Sequence, residues 1–223
     1  MREATIFTVF GGKVGQVSQF FVVHPQDPQK RLINQAVEIL RAGGVIVYPT
    51  DSCYGLGCRI GDARAVERIR TLRRLDERHH FTLACRDLSH IAIFARISNS
   101  AFRLIKLATP GPYTFILPAT KEVPRRLQHP KRKTVGIRVP GNPIALALLA
   151  TLDEPIMTTT AALPGEDLPL ADPYDIRERW EHHVDLVIDG GYGDLEPTTI
   201  VDLADEVPNV VRAGKGDLAA IGF

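Results

Sequence analysis

The chain has 223 residues, 44% of them hydrophobic, with 27 Lys and Arg against 26 Asp and Glu. That composition supports one substantial core in a single large domain, and it contains neither an apolar run near the ~18 residues of a membrane span nor a secretory h-region. The near-zero balance hides a division: residues 1–150 hold 23 basic and 10 acidic side chains (+13), residues 151–223 hold 4 and 16 (−12), which predicts one face that attracts anions unless both sets are solvated helix faces.

Residues 1–17 carry scattered glycines without a sustained period and read as an N-terminal extension, with the domain proper at 18–218 and a short tail at 219–223. SQFFVVHP reads as a strand. Asp27-Pro28 predicts an N-cap and first helical turn, and Leu32, Ile33, Ala36, Val37 and Leu40 form a helical stripe that Gly43-Gly44 ends. The strand VIVYPT follows, then a helix capped by Asp62 with Val66, Ile69 and Leu72 on its buried side. FTLAC predicts a strand, Asp87 opens a short helix, and 99–108 forms a longer one. PGPYTFILPA is a turn feeding a strand, TVGIRVP (134–140) is another, and Pro143 opens an apolar helix through Leu149. PIMTTTAAL is a strand ending in hydroxyls, and an acidic helix within 172–183 leads to three closing strands, VDLVIDGG, TTIVDLA and NVVRAGK. Strands and helices interleave but the last strands lie close together, so the expected fold is one α/β domain with a mixed sheet.

Polar clusters sit just beyond these apolar strands, where open α/β sheets place ligands. Thr50-Asp51-Ser52 is the first. In RIRTLRRLDERHH, Arg70, Arg73 and Arg74 fall on one side of a helix, opposite Val66 and Ile69; guanidinium forks at that density suit phosphates, although a solvated basic face has the same pattern. Gly111-Pro112-Tyr113-Thr114 is a turn able to aim a hydroxyl and backbone N–H groups at an anion. Thr158 and Thr160 share one side of an extended strand, a spacing that β-propensity alone also produces. Arg138, between Ile137 and Val139 in a core-like strand, needs a carboxylate, either a ligand's or a structural partner's.

Cys53, Cys58 and Cys85 lack C-x-x-C spacing and read as buried reduced thiols of a cytoplasmic protein; a nucleophilic Cys53 with His79 or His80 has no local support. No metal-ligand spacing, dinucleotide fingerprint or P-loop is present, so a nucleotide site has to rest on arginines, hydroxyls and backbone amides. KEVPRRLQHPKRK (121–133) carries six basic residues against one acid. It offers a reading as an RNA-binding surface through Arg125, Arg126, Lys131, Arg132 and Lys133, with a solubilising loop as the plain alternative.

IVYPTDSCYGLGC, PGPYTFIL, VGIRVPGNP, MTTTAALPG and EPTTIVDL with its following VVRAG resemble, in order and over roughly residues 18–218, the signature of the YrdC-like domain, the fold of L-threonylcarbamoyl-AMP synthases. The SQFF, FTL-C-RDL and EVPRRL segments are most similar to its YciO branch. The resemblance implies a twisted mixed sheet flanked by helices, with a large electropositive concave cavity. It also implies that L-threonine, bicarbonate and ATP with Mg²⁺ are converted to threonylcarbamoyl-AMP and pyrophosphate for a tRNA modification. Carried across residue by residue, Thr50, Arg138, Thr158 and Thr199 match positions that hold threonine or its carbamate. Arg73, Thr114, Thr160 and Arg212 match positions around ATP.

The pattern departs at the ATP end. The basic K-x-R motif reads Arg73-Arg74-Leu75, its following lysine aligns with His79, and the asparagine of S-T-S-A-N is Ala162. Each lost charge-assisted contact is worth ~1.5–3 kcal/mol. The resemblance therefore implies a retained cavity with a weakened reaction, or a YrdC-like protein that binds double-stranded RNA or tRNA without efficient synthesis.

Overall fold

The computed structural model describes residues 17–76, 79, 81–166 and 168–223; the expected extension at 1–16, and with it Arg78 and His80, lies outside the described residues. In chain order the elements are β1 (Gln19–Val22), α1 (Lys30–Arg41), β2 (Ile46–Tyr48), β3 (Gly55–Arg59), α2 (Ala63–Arg73), β4 (Thr82–Ala84), α3 (Leu88–Phe94), α4 (Asn99–Ala108), β5 (Tyr113–Pro118), β6 (Thr134–Arg138), α5 (Pro143–Leu152), β7 (Ile156–Thr160), α6 (Pro173–Trp180), β8 (Leu186–Asp189), β9 (Thr199–Asp202) and β10 (Asn209–Arg212). The strands form one sheet in the order β1-β8-β2-β3-β7-β4-β6-β5-β9-β10. The pairs β1/β8, β2/β8, β4/β6 and β5/β9 are parallel and the others antiparallel, so the sheet is mixed.

The helix starts follow from local chemistry. Asp62, Asp87, Ser98, Asn142 and Asp172 each accept first-turn N–H groups with their side chains, satisfying donors that a helix cannot satisfy itself. Asp27 does not do this. Helix α1 begins at Lys30 with Gln29 at its cap and no side-chain cap bond, because the turn before it is tied differently: His24 Nδ1 accepts the Asp27 N–H, and the His24 N–H reaches Gln29 Oε1. At the other end, Gly43 takes φ +84°, the left-handed turn that suits glycine. The tail expected at 219–223 is instead tied into the domain: 219–221 form a 3₁₀ turn, and Ile221 is buried in the core.

Alternation along the strands sorts side chains into two cores. Val45, Val47, Leu83, Ile137, Met157, Val187 and Val201 pack with α2, α3, α4 and α6 on one face. Ile46, Tyr48, Ala84, Ile156, Leu186 and Ile188 pack with α1 and α5 on the other. Strand β3 escaped the sequence reading because its glycines hide it. Added Cβ atoms on Gly55 and Gly57 would each meet Tyr48 Cε1 at 3.0 Å, and that on Gly57 would meet Ile156 Cγ2 at 2.6 Å. Gly57 is thus required by a ring lying across the strand, not by a turn.

The sequence division of charge is not a division in space. Strand β8 lies between β1 and β2, and β7 between β3 and β4, so strands of the acidic part are threaded among those of the basic part. Arg59–Glu154, Arg68–Asp185, Arg86–Asp153 and Arg132–Asp202 join the two parts at 2.5–2.8 Å.

Gly57→Ala should destabilise the fold by about 1–3 kcal/mol, the usual cost of overpacking a filled site. The midpoint of urea unfolding measures it, with Gly61→Ala, where nothing lies within 4 Å of an added Cβ, as the control.

Candidate functional site

Beyond the reach of α1 and α5, the sheet face they share is open, and a cavity of about 120 Å³ lies on it. The same alternation supplies its floor. Gly57 pairs with Thr158, Thr158 with Thr82, and Thr82 with Gly136, and residues paired across strands point to one side. Thr160, beside Gly55, and Thr114, on β5, extend this floor. Two-residue steps along β6 from Thr134 through Gly136 bring Arg138 to the same side, while Val135 and Ile137 enter the opposite core.

Among the described residues, those lining the cavity include Arg138, Arg212 and His79 and no Asp or Glu. Arg138 is 7% exposed; its Nη2 donates to Asp51 Oδ1, its Nη1 lies 3.5 Å from Ser52 Oγ, and its buried Nε has no partner. Arg212 reaches the pocket because a bulge in β10 pairs Val210 with Val201 but Arg212 with Ile200, re-aiming its side chain. It donates to the Thr198 carbonyl at 2.8 and 3.1 Å, and burial lowers its pKa. His79 Nε2 lies 3.3 Å from Thr159 Oγ1, and its ring stands edge-on to Phe81. Thr158 Oγ1 accepts the Tyr48 hydroxyl at 3.1 Å, and Thr114 and Thr198 hydroxyls meet at 3.0 Å.

Of the residues expected in the site, the structure gathers His79, Thr114, Arg138, Thr158, Thr160 and Arg212 around this cavity. It does not bring Thr199 there. Thr199 is 0% exposed, donates to the Gly216 carbonyl at 2.6 Å and accepts the Gly214 N–H; it shares the parity of core residue Val201, so its neighbour Thr198 is the one that faces the pocket. Thr50 also stands apart. Its hydroxyl donates to the Cys53 carbonyl and accepts the Ser52 N–H, which closes the turn after β2, and it lines a second cavity of about 440 Å³ with Asp51, Asn142 and Lys215. Ser52 borders both cavities.

Arg73 is held short of the cavity wall. Its Nη1 donates to the Ala162 carbonyl, its buried Nε has no partner, and burial lowers its pKa. Arg70 and Arg74 do not join it in a phosphate cluster. Arg70 bonds the Asp76 carbonyl and lies over the Phe81 ring, while Arg74 forms the left-handed cap that ends α2. Thr82 and Thr198 are pocket residues that the sequence reading missed, whereas Ser52 and Thr159 come from the expected hydroxyl clusters without an assigned role. Each is a short hydroxyl in a Thr- or Ser-rich segment, and only the sheet register separates floor from core.

The basic stretch 121–133 ends just before β6, with Lys133 five residues and thus roughly 17 Å of extended chain from Arg138. Arg125, Arg126, Lys131, Arg132 and Lys133 are exposed there. Arg132 is bound to Asp202 and Asp205, and Arg126 to the Gly61 carbonyl. Among the described residues no three His, Cys, Asp or Glu side chains cluster as a metal site, and no helix is long and apolar enough to cross a membrane.

Cys53, Cys58 and Cys85 are free and buried, and burial raises the pKa of each. Cys58 is pushed up from 9.0 to about 12, and Tyr54 from 10.0 to about 12, both chiefly by burial. Between those values the unfolded chain has released protons that the folded chain keeps, so stability falls as pH rises from about 9 toward about 12. Urea midpoints should drop between about pH 8 and about pH 10.5, and a Cys58→Ala variant should lose part of that slope.

A family profile covering Sua5, YciO and YrdC, described as "Telomere recombination", matches residues 38–214. The YciO protein of Escherichia coli is 58% identical over 202 residues, which cover 91% of this chain and 98% of that protein. Its crystal structure superposes with a TM-score of 0.89 over 92% of this chain and 99% of the other. A threonylcarbamoyl-AMP synthase of Chromobacterium violaceum is 36% identical over 80% of this chain and 92% of its own length. P. abyssi Sua5, solved in complex with L-threonine, is 27% identical with a TM-score of 0.82, covering 88% of this chain and 58% of that one.

Proposed function

The chain belongs to the Sua5/YciO/YrdC family, and from that premise we propose that its pocket binds L-threonine and ATP and joins them with bicarbonate into threonylcarbamoyl-AMP, releasing pyrophosphate, in the service of a tRNA modification. The observation that carries the reading is Arg138: a buried guanidinium in a cavity with no acid among its described lining residues, and with an Nε that has no hydrogen-bond partner. A zwitterion's carboxylate supplies what that arginine lacks, in the two-pronged contact that only a guanidinium offers.

With threonine held there, its amine captures CO2 derived from bicarbonate. The carbamate oxygen attacks the α-phosphate of ATP, and pyrophosphate leaves. No side chain needs to form a covalent intermediate, so the work of the protein is positioning and charge neutralisation. Thr114, Thr160 and Arg212 are the groups available to phosphate oxygens. Mg²⁺ would arrive as part of the ATP substrate, where it would supply charge neutralisation to the phosphates beside Thr114, Thr160 and Arg212. The small cavity suits an amino acid but lies below the roughly 300–1,000 Å³ of drug-sized ligand sites, so the nucleotide extends beyond it.

The ATP end is weakly furnished. Leu75 packs against the core where the synthase pattern has a basic group, and the carbonyl of buried Ala162 holds Arg73. A slow synthase is the expected outcome. Pyrophosphate release by the purified protein should depend on L-threonine, bicarbonate and Mg²⁺-ATP together. Arg138→Ala should lower it at least about 100-fold, the scale of losing a preorganised charge contact; unchanged turnover in that variant would overturn the assignment.

The distance between the basic loop and the pocket favours a second, compatible reading, in which Arg125, Lys131 and Lys133 hold RNA while the pocket stays accessible. Reversing the three to glutamate should weaken retention of tRNA or duplex RNA in 50 mM salt by about tenfold or more and flatten its salt dependence.

A further inference from the structure

We infer that Asp51 is an internal competitor for the Arg138 guanidinium: a positioning residue that a ligand carboxylate must displace, and which thereby sets the affinity and the head-group selectivity of the pocket, the identity of that ligand resting on the proposed threonine chemistry. Asp51 holds Arg138 through one oxygen only. Oδ1 accepts from Nη2, while Oδ2 is drawn aside to the Gly141 N–H at 2.7 Å. The guanidinium therefore lacks the parallel, two-bond fork that it makes with a carboxylate free to align. Its Nη1 is left at 3.5 Å from Ser52 Oγ, and its Nε has no partner.

Burial makes the pairing necessary. The side chains of Arg138 and Asp51 are 8% and 15% exposed, and a cation this enclosed is costly without an anion. Asp51, the carboxylate that contacts the Arg138 guanidinium through the cavity wall, is the anion that serves it. Asp51 itself lines the larger cavity next door, beside Thr50, Asn142 and Lys215. A rotation of its side chain away from Arg138 delivers the carboxylate into that space, where water receives its charge together with Lys215, which is already paired with Asp194 at 2.6 Å. A ligand carboxylate then takes the freed Nη2 together with Nε. An amide or ester in the same place brings no charge to replace Asp51 and leaves the internal pair closed.

If the open arrangement holds about a tenth of the population, apparent affinity for a carboxylate is reduced about tenfold by the internal pair. Asp51→Asn removes the competing charge and keeps an oxygen for the Gly141 N–H. Calorimetric titration should give a Kd for L-threonine about tenfold lower in the variant than in wild type, with L-threoninamide no tighter than before. Unchanged threonine affinity, or equal losses for threonine and threoninamide, would mean that Asp51 only supports the turn, and would overturn the inference while leaving the threonine reading intact. If threonine binds neither protein, the substrate reading falls, and titration with acetate decides for Asp51 alone: tighter binding to the variant sustains it, and equal binding ends it. Should the variant fold poorly, the wild-type protein suffices. The ¹⁵N-coupled Nε–H signal of Arg138 has to move when threonine or acetate is added, and a signal that stays in place refutes displacement.

Discussion

Side chains leave a β-strand alternately to its two faces, and in this sheet helices cover the two faces unequally. Four helices close one side, whereas α1 and α5 close only part of the other. Whatever projects into the uncovered part must tolerate water or a ligand, and the residues at those alternate positions are short: threonines at 82, 114, 158 and 160 and glycines at 55, 57 and 136. The pocket is therefore a region of the sheet where the core stops while the strands continue. Tyr48 marks the boundary. Its ring packs across Gly55 and Gly57 in the apolar core, and its hydroxyl turns to Thr158 in the floor of the site.

Arg138 is a buried charge on that floor, and its cost shapes the surroundings. Arg138 ends β6 at the limit of the apolar layer, so its charge must be answered from the loop after β2, where Asp51 and Ser52 stand. That loop is stiffened by Thr50, which closes it with its own hydroxyl. The polar run that ends the apolar strand VIVYPT thus has divided duties: Thr50 shapes the turn, Asp51 neutralises, and Ser52 borders both cavities. Reading Thr50 as a ligand contact treated as recognition what is here local geometry.

Much of the fold was legible because periodicity and caps act within a few residues. Asp62, Asp87 and Pro143 marked helix starts correctly, and the apolar strands lie where their β-branched runs placed them. What could not be read depended on distant partners. Strand β3 has the composition of a loop until Tyr48 is laid beside it. Thr198 and Thr199 are chemically alike, and only the pairing of β9 with β5 assigns one to the pocket and the other to the core. Arg212 was placed near the site by the family resemblance, while the bulge that aims it there leaves no trace in NVVRAG. The charge division was real in the sequence, but β7 and β8 lie among strands of the basic part, and four of its arginines meet carboxylates of the acidic part.

The threading of β8 between β1 and β2 also constrains how the molecule is made. Gln19 pairs with Leu186, so the first strand to leave the ribosome has no neighbour until most of the chain has followed. At about 5–20 residues per second that interval is on the order of 10–30 s. During it, Phe20 and Phe21 and the apolar strand Ile46–Tyr48 lack the partner that separates them. Closure of the sheet is a late, long-range event of the kind that slows folding, and until it happens the apolar edges of β1 and β2 that face β8 stay uncovered, the state in which nascent chains are prone to aggregate.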